Sequence, residues 1–340
     1  MAQRQSPFLF RGGGWGWWGA DTMTRPIALL LLALAVAFPM TLLAGRVWLD
    51  PFTTTVPNAL IILTELRLPR AILALVIGAG LGAAGAAMQG YLRNPLADPG
   101  LFGIAPGAAL GAVLSFWTGA AGAWTLPLFA LAGAGGAMAL LALIAGRGGS
   151  VLLFTLAGMV IASLAGALMS LAISVSPTPF AMSEIVTWLM GALTDRSWHE
   201  VWFAAPLTFA GIALFLAAAR SLDALTLGEA AARSLGVDPR RLQWLMIGGT
   251  ALTVGAGVAA AGIVGFVGLI VPHLLRRFTD GRPSQLIVPS ALAGALLVLV
   301  ADALCRVLPL ASELRLGIAL SLLGAPFFLA LLLRLRRGLA

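Results

Sequence analysis

Long apolar runs separated by short polar segments make up most of the chain from residue 27 onward. A helix that crosses a bilayer needs roughly 20 mostly apolar residues, so each long run predicts a spanning helix. The pattern predicts an all-α membrane protein with about ten transmembrane helices. The predicted spans are 27–45, 70–91, 103–119, 125–146, 151–173, 200–219, 243–262, 264–278, 285–304 and 315–333.

Two of the apolar stretches are interrupted. The eighth span is short and contains Gly265, Gly268 and Pro272, so its limits are the least sharply defined. Prolines and charges also interrupt the segment 176–199, which is therefore not predicted to span. Its core, Met182–Gly191, predicts a re-entrant or surface helix.

The longest polar segment runs from Arg220 to Arg241, between the sixth and seventh spans, and carries seven charged residues. Charges of this density are too costly for lipid, so the segment must lie in water or against a soluble partner. Within it, LGEAAARSLG predicts a short helix that ends at Gly236, a residue suited to a left-handed C-cap.

Composition supports a membrane class and excludes an ordinary soluble domain. The 340 residues are 60% hydrophobic and only 10% charged, with a mean hydropathy of +0.99. A net charge of +8 in a soluble chain would indicate nucleic acid, but here the loops explain it. With the N-terminus inside, fifteen of the 21 arginines fall on cytoplasmic segments and six outside, which places both termini in the cytoplasm.

The ends and the single cysteine add little chemistry. Cys305 is the only cysteine, which excludes an intramolecular disulfide and offers no metal-ligand spacing. Residues 1–26 form a predicted cytoplasmic tail, whose Trp15, Trp17 and Trp18 could rest at the bilayer interface. The alternative is translation from Met23, and the sequence leaves both open.

Arginines flank the second span on its predicted outer side, in the tetrapeptide Arg67-Leu68-Pro69-Arg70. Pro69 suits the first turn of a helix. The arginines could extend their head groups to lipid phosphate, or they could dock acidic side chains of a soluble partner. The residue types alone do not separate these two interpretations.

Several polar and small residues have structural interpretations. Asn94, Pro95 and Pro99 predict a tight turn after the second span, and Gln89 predicts a bond to a neighbouring helix rather than a polar path. His273 has no second ligand nearby and is interpreted as a structural, helix-bonded histidine. Further structural positions are Gly268, Pro272, Gly324 and Pro326, of which the last two predict a kinked or close-packed final helix.

Near the predicted outer end of the ninth span, Asp302 and Arg306 are four residues apart and should share a helix face. No catalytic constellation is evident, and a chain without lysine cannot form a Walker-type phosphate loop. If ATP drives this protein, a separate subunit must hydrolyse it.

Five segments in order resemble the FecCD-type permeases, the membrane subunits of type II ABC importers for ferric siderophores, haem and vitamin B12. The segments are RLPR at 67–70, QGYLRNPLADPGLFGI at 89–104, LGEAAARSLGV at 227–237, GFVGLIVPHLLRR at 265–277, and ADALCR with ELRLGIALSLLGAPFF within 301–328. The resemblance covers residues 27–336, a single transmembrane domain, and includes a cytoplasmic coupling loop at 220–242. It implies an inner-membrane homodimer with two ATPase subunits and a periplasmic binding protein, and no cofactor on this chain, since ATP and Mg²⁺ belong to the ATPase.

The resemblance also implies roles for particular residues. Arg67, Arg70 and Arg306 match positions that receive acidic residues of the binding protein. The helix that would couple to the ATPase carries Leu227, Gly228, Glu229, Ala232, Arg233, Leu235 and Gly236. The span 151–173, the 182–191 helix and the last span would line the translocation path at the dimer axis. Arg315 departs from the family pattern, where a proline is common.

We expect an iron chelate, a ferric siderophore, as the cargo, with haem and vitamin B12 as alternatives. An ATP-independent secondary transporter is the rival from another class, but it would not need a coupling helix. A membrane-embedded enzyme is the third interpretation, and it lacks nucleophile, metal and acid–base sets.

Overall fold

The computed structural model describes residues 18–45, 47–49, 58–117, 124–146, 151–176 and 178–339. The regular structure in these ranges is entirely helical, as expected. The tryptophan-rich residues up to 17 lie outside the described residues, and so does Arg46.

The α-helices are α1 (Trp18–Leu43), α2 (Ala59–Ile61), α3 (Leu68–Tyr91), α4 (Ile104–Trp117), α5 (Thr125–Ala145), α6 (Val151–Ser174), α7 (Pro179–Leu189), α8 (Trp198–Leu225), α9 (Glu229–Ser234), α10 (Pro239–Ala261), α11 (Val267–Leu275), α12 (Pro283–Val307) and α13 (Leu316–Leu339). A π-helical segment, Ile62–Arg67, joins α2 to α3, and 3₁₀-helices cover Pro99–Phe102 and Arg276–Phe278.

Eight helices among the described residues are long and apolar enough to cross a membrane, and each corresponds to a predicted span. The other two predictions, 103–119 and 264–278, correspond to helices of 14 and 9 residues. Each is short because the segment before it is not α-helical. The 3₁₀-helix Pro99–Phe102 precedes α4, and residues 262–266 precede α11.

Helix α3 is the centre of the bundle. Twenty of its 24 residues are buried, and they are mostly glycine and alanine. It packs against α12, α8, α10 and α11. Backbone atoms of Gly268 lie where a side chain at Gly85 would have to be, so α3 and α11 touch through their main chains.

The two ends of α3 define two regions that the rest of the description uses. The arginine end contains Arg67, Arg70 and Arg306, and the loop end contains α9. At about 1.5 Å per residue, the 21 residues from Arg70 to Tyr91 separate these ends by roughly 32 Å. The two regions therefore lie at opposite faces of a membrane-sized bundle.

The predicted non-spanning segment holds α7, which begins at Pro179 rather than at residue 182. Thr178 caps it, and its side-chain oxygen accepts a hydrogen bond from the Ala181 N–H at 3.1 Å. Ile185 is fully buried against Val113 of α4 and Ala172 of α6. The helix is thus packed onto the bundle and is only 11 residues long.

Candidate functional site

The short helix α9 is closed by the glycine that the sequence predicted. Gly236 has a φ of +84°, which an L side chain rarely adopts. Its N–H donates to the carbonyl of Arg233 at 2.9 Å, and the Val237 N–H donates to the carbonyl of Ala232 at 3.0 Å. These two bonds form a Schellman motif, which satisfies the final carbonyls of the helix.

One face of α9 is anchored to the bundle. Ala232 is 2% exposed, and the space around it is lined by Tyr91, Leu225 and Leu242. Gly228 precedes the helix, and Glu229, in its first turn, pairs with Arg93 at 3.5 Å. That pair is exposed on both sides and contributes little, so the apolar contacts of Ala232 hold the helix.

The opposite side of the same segment presents large apolar side chains outside the spans. Leu227 is 68% exposed and Leu235 is 65% exposed, while Arg233 beside them is also exposed. Leucines surrounded by charges cannot rest in lipid. They form an apolar surface of the kind that fits a groove on another protein.

An unpredicted contact fixes the base of this loop. The carboxylate of Asp223, near the end of α8, accepts hydrogen bonds from the Ser284 N–H at 2.9 Å and the Ser284 hydroxyl at 2.6 Å. It thereby caps the first turn of α12, 61 residues later. Pro283, at the first position of α12, is a local sequence signal of a helix start, whereas the contact with Asp223 has none.

At the arginine end, Arg70 is a buried residue with two acidic partners. Its Nε and Nη2 donate to Asp302 at 2.9–3.1 Å, and its Nη1 donates to Glu313 at 2.9 Å. Arg70 is 9% exposed and Asp302 is 1% exposed. The guanidinium is therefore occupied within the chain.

Arg306 completes this cluster. Its Nε lies 3.3 Å from the Asp302 carboxylate, which confirms the predicted pair four residues apart, and its Nη2 donates to the Thr41 carbonyl at 3.1 Å. The residue is 5% exposed, and its Nη1 has no partner among the described residues. One buried carboxylate thus serves two arginines.

Arg67 is bound differently, to backbone alone. Its Nη1 donates to the carbonyls of Leu42 and Leu43 at 2.8 Å, and its Nη2 donates to that of Val47 at 2.6 Å. These carbonyls lie at and beyond the end of α1, where helix carbonyls lack intrahelical partners. Arg67 therefore ties α1 to the start of α3.

A cavity of about 340 Å³ opens among these arginines. Arg67, Arg70 and Arg306 all line it, together with Arg196, whose Nε has no partner among the described residues. Thr194 and Glu313 also line it. Four guanidinium groups around one opening can accept a carboxylate from outside.

Glu313 links the cluster to the segment after α7. Its carboxylate accepts from Arg70 and, at 3.1 Å, from the Thr194 hydroxyl. Burial raises the pKa of Glu313, but the charge of Arg70 and these hydrogen bonds outweigh it, so the pKa lies below its ordinary value. Glu313 is therefore charged at neutral pH.

Backbone hydrogen bonds continue this link towards the interior. The Ala192 N–H donates to the Ala261 carbonyl at 2.8 Å, and the Gly317 N–H donates to the Gly191 carbonyl at 3.1 Å. The end of α7, the end of α10 and the start of α13 are thus joined at one place. No local pattern predicts this junction, because its bonds connect residues far apart in the chain.

The turn motif after α3 has the predicted structural role. Gln89 donates to the carbonyls of Gly268 and Leu269 at 3.2 and 3.4 Å and accepts from Arg276 at 3.2 Å, so it bonds α3 to α11. Asn94 accepts from the Leu96 N–H at 2.9 Å, on either side of Pro95. Pro99 begins the 3₁₀-helix and packs on Gly268.

The remaining predicted positions lie where α11 meets α13. His273 follows the buried Pro272 and faces the ring of Phe327, with centroids 5.9 Å apart. The expectation of a helix-bonded histidine is wrong for Nδ1, which is buried and has no partner among the described residues. Gly324 lies against the Phe266 ring, two residues before Pro326, so the last helix is close-packed there as predicted.

Comparison with known proteins gives consistent matches. The profile of the FecCD transport family matches residues 27–334. The vitamin B12 import system permease protein BtuC of Serratia proteamaculans is 35% identical over 317 residues, which cover 92% of this chain and 93% of the relative. BtuC of Escherichia coli strain HS is 36% identical, with coverage of 92% and 96%.

Two further matches are not tied to vitamin B12. The uncharacterised ABC transporter permease protein YvrB of Bacillus subtilis is 39% identical over 285 residues, which cover 82% of this chain and 80% of the relative. A solved inward-facing structure of an ABC transporter, provisionally assigned to the metal-chelate type, has a TM-score of 0.84 and 32% identity. The match covers 92% of this chain and 99% of the chain in the solved structure.

Proposed function

Because the chain belongs to the FecCD transport family, as an ABC importer permease, we propose that it carries a metal chelate across the inner membrane. A periplasmic binding protein would deliver the chelate, and two ATPase subunits would drive a homodimer of this chain. The first cargo to test is vitamin B12, and the second is a ferric siderophore.

The exposed leucines on either side of α9, Leu227 and Leu235, are the observation that carries the ATPase part of the proposal. The helix is anchored through Ala232 and capped at Gly236, so it can transmit force as a rigid unit. Leu227 and Leu235 point away from the bundle in a charged segment. An ATP-independent transporter would have no use for such a surface, which supports a motor subunit as its partner.

The cavity at the arginine end supports docking of the binding protein. Carboxylates of a partner could enter an opening that Arg67, Arg70, Arg196 and Arg306 line. Since Asp302 and Glu313 already hold Arg70, a docking carboxylate would compete with Glu313 for that arginine. Such competition would pass the docking signal to Thr194 and the segment after α7.

Exposed apolar ridges support the homodimer and the position of the path. On α6, large side chains four residues apart, such as Leu152, Leu156 and Val160, face outward. On α13, Leu322 and Leu329 do the same. In the proposed dimer, α6, α7 and α13 of two copies would meet around the path.

Two observations favour the two cargoes separately. Vitamin B12 is named for BtuC relatives that match nearly their whole length. The metal-chelate class is given for the solved neighbour, which leaves room for an iron chelate. The outward faces of α6 and α13 are largely apolar and would hold either chelate weakly, and the binding protein would set the specificity.

The test is stimulation of ATP hydrolysis in liposomes that contain the permease with its co-expressed ATPase. Binding protein loaded with cobalamin, ferric siderophore or haem is titrated, and uptake of each chelate is followed. We expect one loaded form to stimulate hydrolysis severalfold. Uptake that persists without an ATPase would refute the proposal and favour a secondary transporter.

Matched variants locate the two surfaces in the same assay. Leu235→Ala should reduce stimulation, whereas Leu29→Ala, an equally exposed leucine on α1, should not. Arg67→Glu should raise the concentration of binding protein needed for half-maximal stimulation and weaken its salt dependence. If Leu235→Ala and Leu29→Ala behave alike, α9 is not the coupling surface.

A further inference from the structure

A second sizeable cavity, of about 430 Å³, lies beside the start of α10 and shares no lining residue with the cavity at the arginine end or with the space around Ala232. Its walls come from the end of α5 and the first turns of α10. Ligand pockets commonly have volumes of about 300–1,000 Å³, so this cavity is large enough for part of a ligand. The residues that line it include Ala139, Ala142, Leu143, Arg240, Gln243 and Trp244.

Gln243 makes this cavity unusual. The residue is 5% exposed as a whole, and it lines the cavity. Its amide makes no hydrogen bond to any residue within the described ranges. The amide is therefore available to a polar group bound in the cavity.

Arg240 supplies a charge next to that amide. Its side chain is exposed, and it forms no ion pair with the described part of the chain. It stands in the first turn of α10, where the Asp238 carboxylate accepts a hydrogen bond from its backbone N–H and not from its guanidinium. The guanidinium thus remains available for an anion at the cavity.

The rest of the cavity is apolar and lies at a bilayer boundary. Leu143 is 78% exposed on the last turn of α5, and Trp244 is 54% exposed on α10. Tryptophan is enriched at the interface between lipid and water. The lining therefore combines an arginine, a free amide and an interfacial ring with a wall suited to hydrocarbon.

We propose that this cavity binds one anionic phospholipid of the surrounding membrane. The phosphate lies against Arg240 and the Gln243 amide, the glycerol region contacts Trp244, and an acyl chain follows the wall of Ala139, Ala142 and Leu143. Basic pockets between spanning helices at the cytoplasmic side bind phospholipid head groups in this way. Free phosphate has the same anionic chemistry, but it leaves the apolar wall uncovered.

The position of this site gives the lipid a contact with the coupling loop. Arg240 follows α9 by only six residues, and Pro239 begins α10 directly after the loop. A phosphate on Arg240 would hold the base of the lever that α9 forms. This consequence rests on the proposed function, whereas the lipid site itself does not.

The test uses the full chain in phosphatidylcholine nanodiscs with increasing fractions of brominated phosphatidylglycerol. Bromine quenches nearby tryptophan fluorescence, and the difference from Trp244→Phe isolates the signal of Trp244. We expect saturable quenching by brominated phosphatidylglycerol and much weaker quenching by brominated phosphatidylcholine. The number of phospholipids that remain bound to the protein in native mass spectra gives a second, independent measure of binding.

Two variants that each remove one positive charge distinguish binding at the cavity from non-specific attraction of anionic lipid to the protein surface. Arg240→Gln should raise the half-saturating lipid fraction roughly fivefold, as expected for about 1 kcal/mol per arginine near an anionic lipid. Arg241→Gln, its exposed neighbour, does not line the cavity and should leave the fraction unchanged. Gln243→Leu should also weaken binding.

Three outcomes would overturn the proposal. Equal effects of Arg240→Gln and Arg241→Gln would mean that the attraction is diffuse. Displacement of the quenching lipid by millimolar inorganic phosphate would mean a site for a soluble anion. Equal quenching by the two brominated lipids would mean an apolar groove without charge selection.

Discussion

Replacing the Asp302 carboxylate with an amide, Asp302→Asn, should open the arginine end of the bundle. The carboxylate accepts three contacts from Arg70 and lies 3.3 Å from Arg306 Nε. Asparagine keeps the size of the side chain but loses the charge. An NH₂ group then replaces one carboxylate oxygen, so that N–H donors of asparagine and arginine face each other.

The expected cost is large because the site is dry. Asp302 is 1% exposed and Arg306 is 5% exposed. Within the described residues, Glu313 remains as the partner of Arg70, and the Thr41 carbonyl remains as the partner of Arg306. Removing one partner from a buried ion pair costs about 3–5 kcal/mol. At about 1.36 kcal/mol per tenfold, this loss raises the open population by roughly two to three and a half powers of ten.

Cys305 reports the opening directly. It is the only cysteine of the chain, it is 2% exposed, and it lies between Asp302 and Arg306 in the sequence. Alkylation in detergent follows the open population when reclosing is fast relative to the reaction. The rate is divided by that of the same variant in denaturant, which removes any change in thiol reactivity.

The control is Asp280→Asn, the same substitution at an exposed carboxylate, which should leave the rate within twofold of the parent. Combining Asp302→Leu with Arg70→Met and Arg306→Met should cost less than Asp302→Asn alone, because neither buried arginine is then left without its carboxylate. A labelling rate for Asp302→Asn equal to the parent would refute the assignment of Asp302 as a buried counter-ion.

Two smaller perturbations test other parts of the structure. The pKa of Glu313 is lower in the folded chain than in the unfolded chain, so its charge stabilises the fold above the ordinary carboxylate pKa, and this stabilisation is lost as pH falls through the folded pKa. The melting midpoint of Glu313→Gln should therefore fall less steeply with acid than that of the parent. Parallel plots of melting midpoint against pH for the two proteins would contradict this. At Gly85 an added methyl group meets the backbone of Gly268, so Gly85→Ala should reduce the yield of monodisperse protein in gel filtration, whereas Gly135→Ala has open space and should not.

The pattern of apolar runs was sufficient to predict the spanning helices of this fold. Spanning helices depend on the local run of apolar residues, and every predicted span contains a helix. The cap at Gly236 was also predictable, because a left-handed C-cap depends on one residue. The eighth span was already predicted to be short, from Gly265, Gly268 and Pro272. The shortening of the span at 103–119 was not predicted, because the segment 99–102 packs on Gly268, and no local pattern carries that contact.

The arginines show where a sequence interpretation stops. An arginine at a helix end has the same pattern whether it reaches lipid, docks a partner or pairs inside the protein. Arg70 is held by Asp302, which is 232 residues away, and the buried state of both depends on that meeting. The docking role of Arg67, Arg70 and Arg306 stays a prediction, to which the structure adds internal partners and a shared cavity.

The long separation of Arg70 and Asp302 also bears on how the chain is made. At about 5–20 residues per second, a ribosome needs roughly 12–46 s to synthesise the 232 residues that separate them. During that time α3 has been synthesised, while α12 does not yet exist. The arginine must remain hydrated at the membrane edge, or be shielded by the insertion machinery, until its counter-ion arrives. Biogenesis of this permease therefore includes a waiting period, and a truncated chain that ends before α12 should be recognised by membrane proteases as unfinished.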